Sequence, residues 1–132
     1  MRKMHKNALI SVVLFLLILI FSSCEKADLV ISSTVIEPFV LEEENRMGLC
    51  VYFLTTDESV KLKQMQITDP TGYLTWNLDI KETVFTSVHY KGSSDIVMPE
   101  NTTLPEGEWK LKVISEDGRV AEQSFTVSLS DL

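Results

Sequence analysis

The chain has 132 residues, with 19 acidic and 12 basic side chains and a formal net charge of −7 at pH 7. This length is typical of one domain with a modest core, and the acidic balance argues against a nucleic-acid partner and against electrostatic docking on anionic lipid. With only two cysteines, Cys24 and Cys50, the sequence excludes a disulfide-rich scaffold.

The first 23 residues have the pattern of a signal peptide. Three basic residues precede an apolar core over residues 8–21. That core of 14 residues is shorter than the roughly 20 that a membrane-spanning helix needs, and it fits the roughly 7–15 of a signal-peptide core. Small residues, Ser22 and Ser23, then lead to Cys24. Two alternatives remain: an ordinary secretory peptide in which Cys24 is incidental, and a retained amino-terminal anchor helix.

Residues 20–24, with the sequence IFSSC, resemble the lipobox of bacterial lipoproteins, although Phe21 stands where that family usually has Leu. In the family a diacylglycerol is attached to the cysteine thiol, and a dedicated signal peptidase cuts directly before it. The resemblance implies lipidation at Cys24, a short lipidated tether over residues 24–28, and attachment to a membrane through the lipid. Two acyl chains anchor a protein stably, whereas one does not. The residue directly after Cys24 is Glu25 and not Asp, which by the best-known sorting rule of that family implies the outer membrane.

After cleavage the chain would carry nine basic and 19 acidic residues, a net charge of about −10. Residues 29–132 show no long helical stripe. Short runs rich in β-branched and aromatic residues alternate with turn residues, which is typical of an all-β sandwich or barrel. Strands are predicted over residues 29–36, 47–55, 60–68, 73–78, 80–90, 96–98, 109–113 and 120–129.

The amino-terminal half contains two predicted connections. The first strand is expected to end at Glu37 and Pro38, and an acidic loop follows, formed by Glu42, Glu43, Glu44 and Asn45. Residues 47–55 are apolar on both faces, which predicts a central strand. Residues 69–72, with Pro second and Gly fourth, predict a β-turn.

Residues 73–90 are harder to assign. Strict alternation over residues 73–78 predicts a strand with Trp76 directed at the core rather than at a ligand. Ile80, Val84 and Val88 recur every fourth residue and would fit one face of a helix. The β-branched residues between them favour a strand.

The carboxyl end predicts a hairpin. Trp109, Leu111 and Val113 alternate with lysines, which indicates a strand with one face in water. Asp117 and Gly118 form a dipeptide favoured in two-residue hairpin turns, in which both residues have positive φ. In the returning strand Phe125, Val127 and Leu129 share a face.

Residues 104–109 (LPEGEW), the Asp117–Gly118 hairpin and residues 124–127 (SFTV) resemble the end of bacterial immunoglobulin-like and fibronectin type III-like domains. The resemblance implies an Ig-like antiparallel β-sandwich of about seven strands. Those domains have a tyrosine corner at this point. Because Trp109 takes the place of the tyrosine, its indole N–H is expected to replace the phenolic hydrogen bond in part.

Little in the sequence indicates catalysis. His89 is the one histidine after the signal and is predicted to face water, and Cys50 is predicted to be a buried, inert thiol because its neighbours are apolar. The carboxylates of residues 42–44 and 57–58 lie at opposite ends of a predicted strand, more than about 20 Å apart. We therefore expect no catalytic residue, no metal, no cofactor and no enzyme activity.

The sequence thus predicts a noncatalytic, membrane-anchored lipoprotein of the cell envelope, whose sandwich mediates protein binding or adhesion to an envelope or surface protein. The candidate contact residues are Glu42, Glu43, Glu44 and Asn45, together with a loop over residues 91–95. The alternatives are a structural accessory subunit of an envelope secretion or transport complex, and an enzyme with unrecognised chemistry.

Overall fold

The structure, a computed structural model, describes residues 27–130. They form eight β-strands, β1 (Ile31–Leu41), β2 (Arg46–Thr55), β3 (Leu62–Thr68), β4 (Thr75–Leu78), β5 (Lys81–Phe85), β6 (Val88–Val97), β7 (Gly107–Ser115) and β8 (Val120–Val127). Sheet I has the strand order β1-β2-β6-β5 and sheet II the order β4-β3-β7-β8, and all pairs are antiparallel. The prediction of an all-β chain is confirmed, and the two layers are consistent with a β-sandwich.

The two sheets share one apolar core. In β2 every second side chain is directed inward, so that Leu49, Val51 and Phe53 are fully buried. They belong to one cluster with the inward residues of sheet II, among them Met65, Ile67, Trp109, Leu111, Val113, Phe125 and Val127. The central position predicted for β2 is confirmed, since it pairs with both β1 and β6.

The first strand is longer than the sequence predicted. β1 passes through Glu37 and Pro38 and ends at Leu41, with Pro38 opposite Leu49. A proline cannot donate a ladder hydrogen bond, and it is therefore confined to edge strands and strand starts. β1 is the edge strand of sheet I, so Pro38 is accommodated there without ending the strand.

The strand preference predicted for residues 80–90 is confirmed and the helical alternative is wrong, but a turn divides the single predicted strand. These residues contain two strands, β5 and β6, joined by Thr86 and Ser87, whose φ angles are 47° and 64°. Positive φ at both turn residues matches the twist of a hairpin. Ile96 and Val97 of the predicted run at 96–98 are the end of β6, and the described residues form eight strands where an Ig-like sandwich of about seven was expected.

The β-turn at residues 69–72 is confirmed. Gly72 donates its N–H to the carbonyl of Asp69 at 3.1 Å, and its φ is 80°. The carboxylate of Asp69 accepts hydrogen bonds from the Thr71 hydroxyl at 2.7 and 2.9 Å and from the Leu74 N–H at 3.1 Å. The buried Asp69 carboxylate therefore stabilises the turn.

The final hairpin is confirmed in its strands but not in its turn. Trp109 pairs with Phe125, and the ladder continues to Ile114 opposite Val120. The Ser115 N–H donates to the Arg119 carbonyl at 2.9 Å, which leaves a three-residue loop in which Gly118 has a φ of 88°. A three-residue loop of this kind needs one left-handed residue near its end, and Gly118 supplies it.

Trp109 lies at the centre of the core. Its ring stacks on Trp76 with centroids 5.8 Å apart and on Phe125 with centroids 6.3 Å apart. Its indole N–H donates to the Pro105 carbonyl at 2.9 Å, as the sequence led us to expect. The side chain is fully buried, and it fixes the segment before β7 together with β4 and β8.

The strand registers define two ends of the fold. The N-terminal end carries Ala27, the loop over residues 56–61, the β5–β6 turn and the β7–β8 turn. The far end carries the connection between β1 and β2, the turn at residues 69–74 and the segment over residues 98–106. β1 runs from the first of these ends to the second.

Replacing Trp109 or Phe125 by Ala is expected to destabilise the fold by about 3–5 kcal/mol, because apolar contacts are lost and a cavity remains. This is a large share of the roughly 5–15 kcal/mol by which domains are stable. Denaturant melts measure the loss, with the exposed Val120→Ala as a control expected to stay within about 0.5 kcal/mol of the wild type. A loss below about 1 kcal/mol at Trp109 would contradict its central place.

Candidate functional site

The N-terminal end is held by an arginine. Arg119 donates from Nη1 to the Ala27 carbonyl at 2.7 Å, and its Nη2 lies 2.9 Å from the Asp117 carboxylate. The Asp117 carboxylate raises the pKa of the guanidinium. Ala27 is thereby fixed to the β7–β8 turn, three residues after Cys24. Cys24 itself, the predicted lipidation residue, lies outside the described residues.

The predicted acidic loop lies at the far end. Glu42–Glu44 form a single 3₁₀ turn, and Asn45 follows in the left-handed conformation with a φ of 51°. All four side chains are exposed. The three carboxylates therefore face water, beside the exposed apolar side chains of Val40 and Leu41.

Asn45 has a structural role in addition to its predicted contact role. Its side-chain amide donates to the Asn101 side-chain carbonyl, and its own carbonyl accepts from the Asn101 N–H at 3.0 Å. Both residues have positive φ, which asparagine tolerates better than most residues. The pair ties the β1–β2 connection to the segment that precedes β7. The acidic turn is therefore held on a fixed base.

The second predicted contact loop, over residues 91–95, does not exist. These residues are the middle of β6, and Gly92 and Ser93 within them are buried. The ladder between β2 and β6 is irregular here, between Leu49 and Val51. A glycine, two serines and an aspartate gave the sequence the appearance of a loop, whereas they form a bulged part of a paired strand.

The two residues weighed for chemistry have ordinary surroundings. His89 is exposed, and its Nδ1 lies 3.1 Å from a carboxylate oxygen of Glu82, which is exposed as well. Cys50 is a free thiol and only half-buried, so the prediction of a buried core thiol is wrong. Burial raises the pKa of Cys50, and the neighbouring Glu37 carboxylate raises it further.

Cys50 also marks a surface that the sequence analysis missed. It lies on the outer side of sheet I, away from the core, and so do Tyr52 and Leu54. The sequence of β2 carries apolar residues on both of its alternating sides, which already indicates an apolar outer side. A central position in the sheet accounts for the buried residues of β2, but it does not indicate that the outward ones form an apolar surface.

Within residues 27–130 no group of three or more His, Cys, Asp or Glu side chains is arranged to hold a metal ion. The same part of the chain contains no helix that is both long and apolar enough to cross a membrane. No protein-family model, curated protein or solved structure matches the chain. The function must therefore be argued from the residues themselves.

Cys50 is expected to react slowly with maleimide. A raised pKa lowers the thiolate fraction at a given pH, and the thiolate is the reactive form. In a Cys24→Ser protein, where Cys50 is the one remaining thiol, labelling at pH 7.5 should be about tenfold slower than in denaturant. Glu37→Gln should speed labelling of the folded protein. Equal rates in the folded and denatured states would contradict the shielding.

Proposed function

We propose that this protein is a noncatalytic lipoprotein of the cell envelope, anchored through lipid on Cys24, in which an Ig-like sandwich binds another envelope or surface protein. The observation that carries the proposal is the passage from a 14-residue apolar core through Ser22 and Ser23 directly to Cys24. The geometry of the domain fits such an anchor, and its strand order fits the Ig-like assignment.

The anchor is supported by the place where the domain begins. Ala27 is already bonded to Arg119, so only two residues, Glu25 and Lys26, separate it from Cys24. The chain from Cys24 to Ala27 spans at most about 10 Å. Lipid on Cys24 would therefore hold the N-terminal end of the domain at the membrane, most consistently the outer membrane, given Glu25.

The Ig-like assignment is supported by the strand order. Labelled in chain order as A, B, C, C′, D, E, F and G, the strands of sheet I read A-B-E-D and those of sheet II read C′-C-F-G. Ig constant-type domains have the first sheet, with C, F and G in the second. Trp109 near the start of β7 bonds back to Pro105, which is the position and the connection of a tyrosine corner.

A binding role is supported by the far end of the fold. β1 has 11 residues, and at about 3.3 Å per residue it holds the acidic turn more than about 30 Å from the N-terminal end. Connections on a rigid scaffold are where recognition is concentrated. The turn would thus be presented away from the membrane, to a partner within the same envelope.

If Cys24 is lipidated, the protein should incorporate a labelled fatty acid at that residue. Metabolic labelling with an alkynyl fatty acid should mark the wild-type protein, and Cys24→Ser should lose the label and leave the membrane fraction, because the thiol is the acceptor. Cys50→Ser, the matched control, should keep both. A Cys24→Ser protein that remains labelled would refute the anchor.

If the acidic turn contacts a partner, binding should depend on the negative charge of its three glutamates. Glu42, Glu43 and Glu44 changed together to Gln should reduce the crosslinked partner recovered from membranes at least about fivefold, since rim charges set encounter and specificity. The control changes the charge equally elsewhere, with Glu58, Glu116 and Glu122 replaced by Gln. An unchanged partner set would remove the turn from the binding site, and robust hydrolase or transferase activity would overturn the noncatalytic proposal.

A further inference from the structure

The outer faces of the two sheets differ in polarity. On sheet II the outward residues are mostly polar and are paired across strands: Gln66 bonds to Asn77 at 2.7 Å, and Lys112 lies opposite Glu122. On sheet I the outward residues are mostly apolar. This apolar face consists of Val35, Phe39, Leu41, Cys50, Tyr52, Leu54, Phe85, Val88, Tyr90 and Val97. An antiparallel sheet normally has one polar outer face, and of the two sheets only sheet II has it.

Aromatic side chains give the apolar face a fixed shape. Phe39 lies over Gly48, and Tyr52 lies against Gly92, so that a Cβ atom at either glycine would overlap its neighbours. Phe85 packs edge-on against Tyr52, with centroids 5.7 Å apart. It packs in the same way against a second tyrosine, Tyr90, at 5.6 Å. The rings are therefore held in place before any partner arrives.

The charges on the apolar face are balanced, although those of the chain are not. Glu37 and Asp95 are matched by Arg46 and Lys81, and Lys81 donates to Asp95 at 2.8 Å. The full chain has a net charge of −7. The acidic excess is thus carried elsewhere, and two copies of this face would not repel each other.

The size of the face suits association of whole domains. Four strands spaced about 4.8 Å apart, the longest of them about ten residues at about 3.3 Å each, cover roughly 20 Å by 30 Å. That is roughly 600 Å² in projection, and the relief of the side chains increases the accessible area. A stable protein interface buries about 800 Å² on each partner. Of the ten apolar residues on this face, Leu41, Phe85 and Val88 are exposed and the others are half-buried. The largest apolar patch on a monomer is often a functional surface.

We propose that the apolar face is the interface of a homodimer, in which two copies pack sheet I on sheet I about a two-fold axis parallel to the strands. That axis brings β1 of one copy opposite β5 of the other. The strand registers place Lys81 level with Val35, so Glu37 of each copy then lies two residues, about 7 Å, along the strands from Lys81 of the second copy, within reach of the long lysine side chain. The interface is isologous. Both N-terminal ends point the same way, as two copies attached to one membrane require. The dimer goes beyond the proposed function and does not depend on lipidation.

The first test uses the full chain in cells, in two copies with different tags. A photo-crosslinking amino acid in place of Phe85 should give a product of twice the chain's mass that contains both tags. Val88→Glu and Leu41→Glu, at exposed positions on the face, should each reduce this product at least tenfold. Val120→Glu, equally exposed but on sheet II, should leave it unchanged. Circular dichroism shows that each variant is folded.

The second test addresses the register. Glu37→Lys should reduce the dimer, because lysines of the two copies then lie close together. Adding Lys81→Glu with Asp95→Lys, which keeps an ion pair within each copy, should restore the dimer at least partly. A crosslinked product that contains another protein and not the second tag would overturn the proposal. So would a Phe85 crosslink that survives both Val88→Glu and Leu41→Glu, or a triple variant (Glu37→Lys, Lys81→Glu, Asp95→Lys) that dimerises no better than Glu37→Lys.

Discussion

The buried indole of Trp109 is the constraint on which the fold depends most. It stacks between Trp76 of β4 and Phe125 of β8 and bonds to Pro105 in the segment that enters β7. Aromatic pairs at such distances contribute beyond the area that they bury. A buried N–H without an acceptor would cost about 1–3 kcal/mol, so the path of the chain at Pro105 is part of the same arrangement. Three strands and one connection are fixed by this one side chain.

Several carboxylates of the described residues stabilise turns through their hydrogen bonds. Asp69 holds the turn at residues 69–74, and Asp57 accepts from the Ser59 hydroxyl and N–H, bonds that lower its pKa. Asp117 holds the last hairpin through Arg119. These carboxylates are occupied with the backbone and with one guanidinium, so they organise loops. The acidic turn over Glu42–Glu44 differs, because its carboxylates are exposed and directed into solvent.

The two outer faces of the domain differ in polarity, and its two ends differ in the connections that they carry. Sheet II presents a wetted surface, and sheet I presents aromatic rings packed over glycines. A lipid anchor at the N-terminal end, a partner at the far end and a second copy on sheet I would engage different parts of the domain, and the last two adjoin at Leu41. The proposed functions can therefore operate at the same time.

Much of the fold follows from local sequence. The alternation in residues 109–113 and 120–129, the turn at residues 69–72 and the strand preference of residues 80–90 depend on neighbours along the chain. They were predicted correctly for that reason. The signal-like segment and Cys24 are likewise features of the sequence alone, as is the acidic character of Glu42–Glu44.

What the local sequence predicted wrongly was decided by position in a sheet. Pro38 is tolerated because β1 is an edge, and residues 91–95 are a strand because β2 and β5 lie on either side of them. The hairpin turn gained a third residue because Ser115 pairs with Arg119. The apolar face shows the limit most clearly. An outward residue is defined by what packs on the other side, and ten residues from four strands become one surface only when the registers align them. Periodicity specifies which residues alternate, whereas pairing between distant strands specifies what they face.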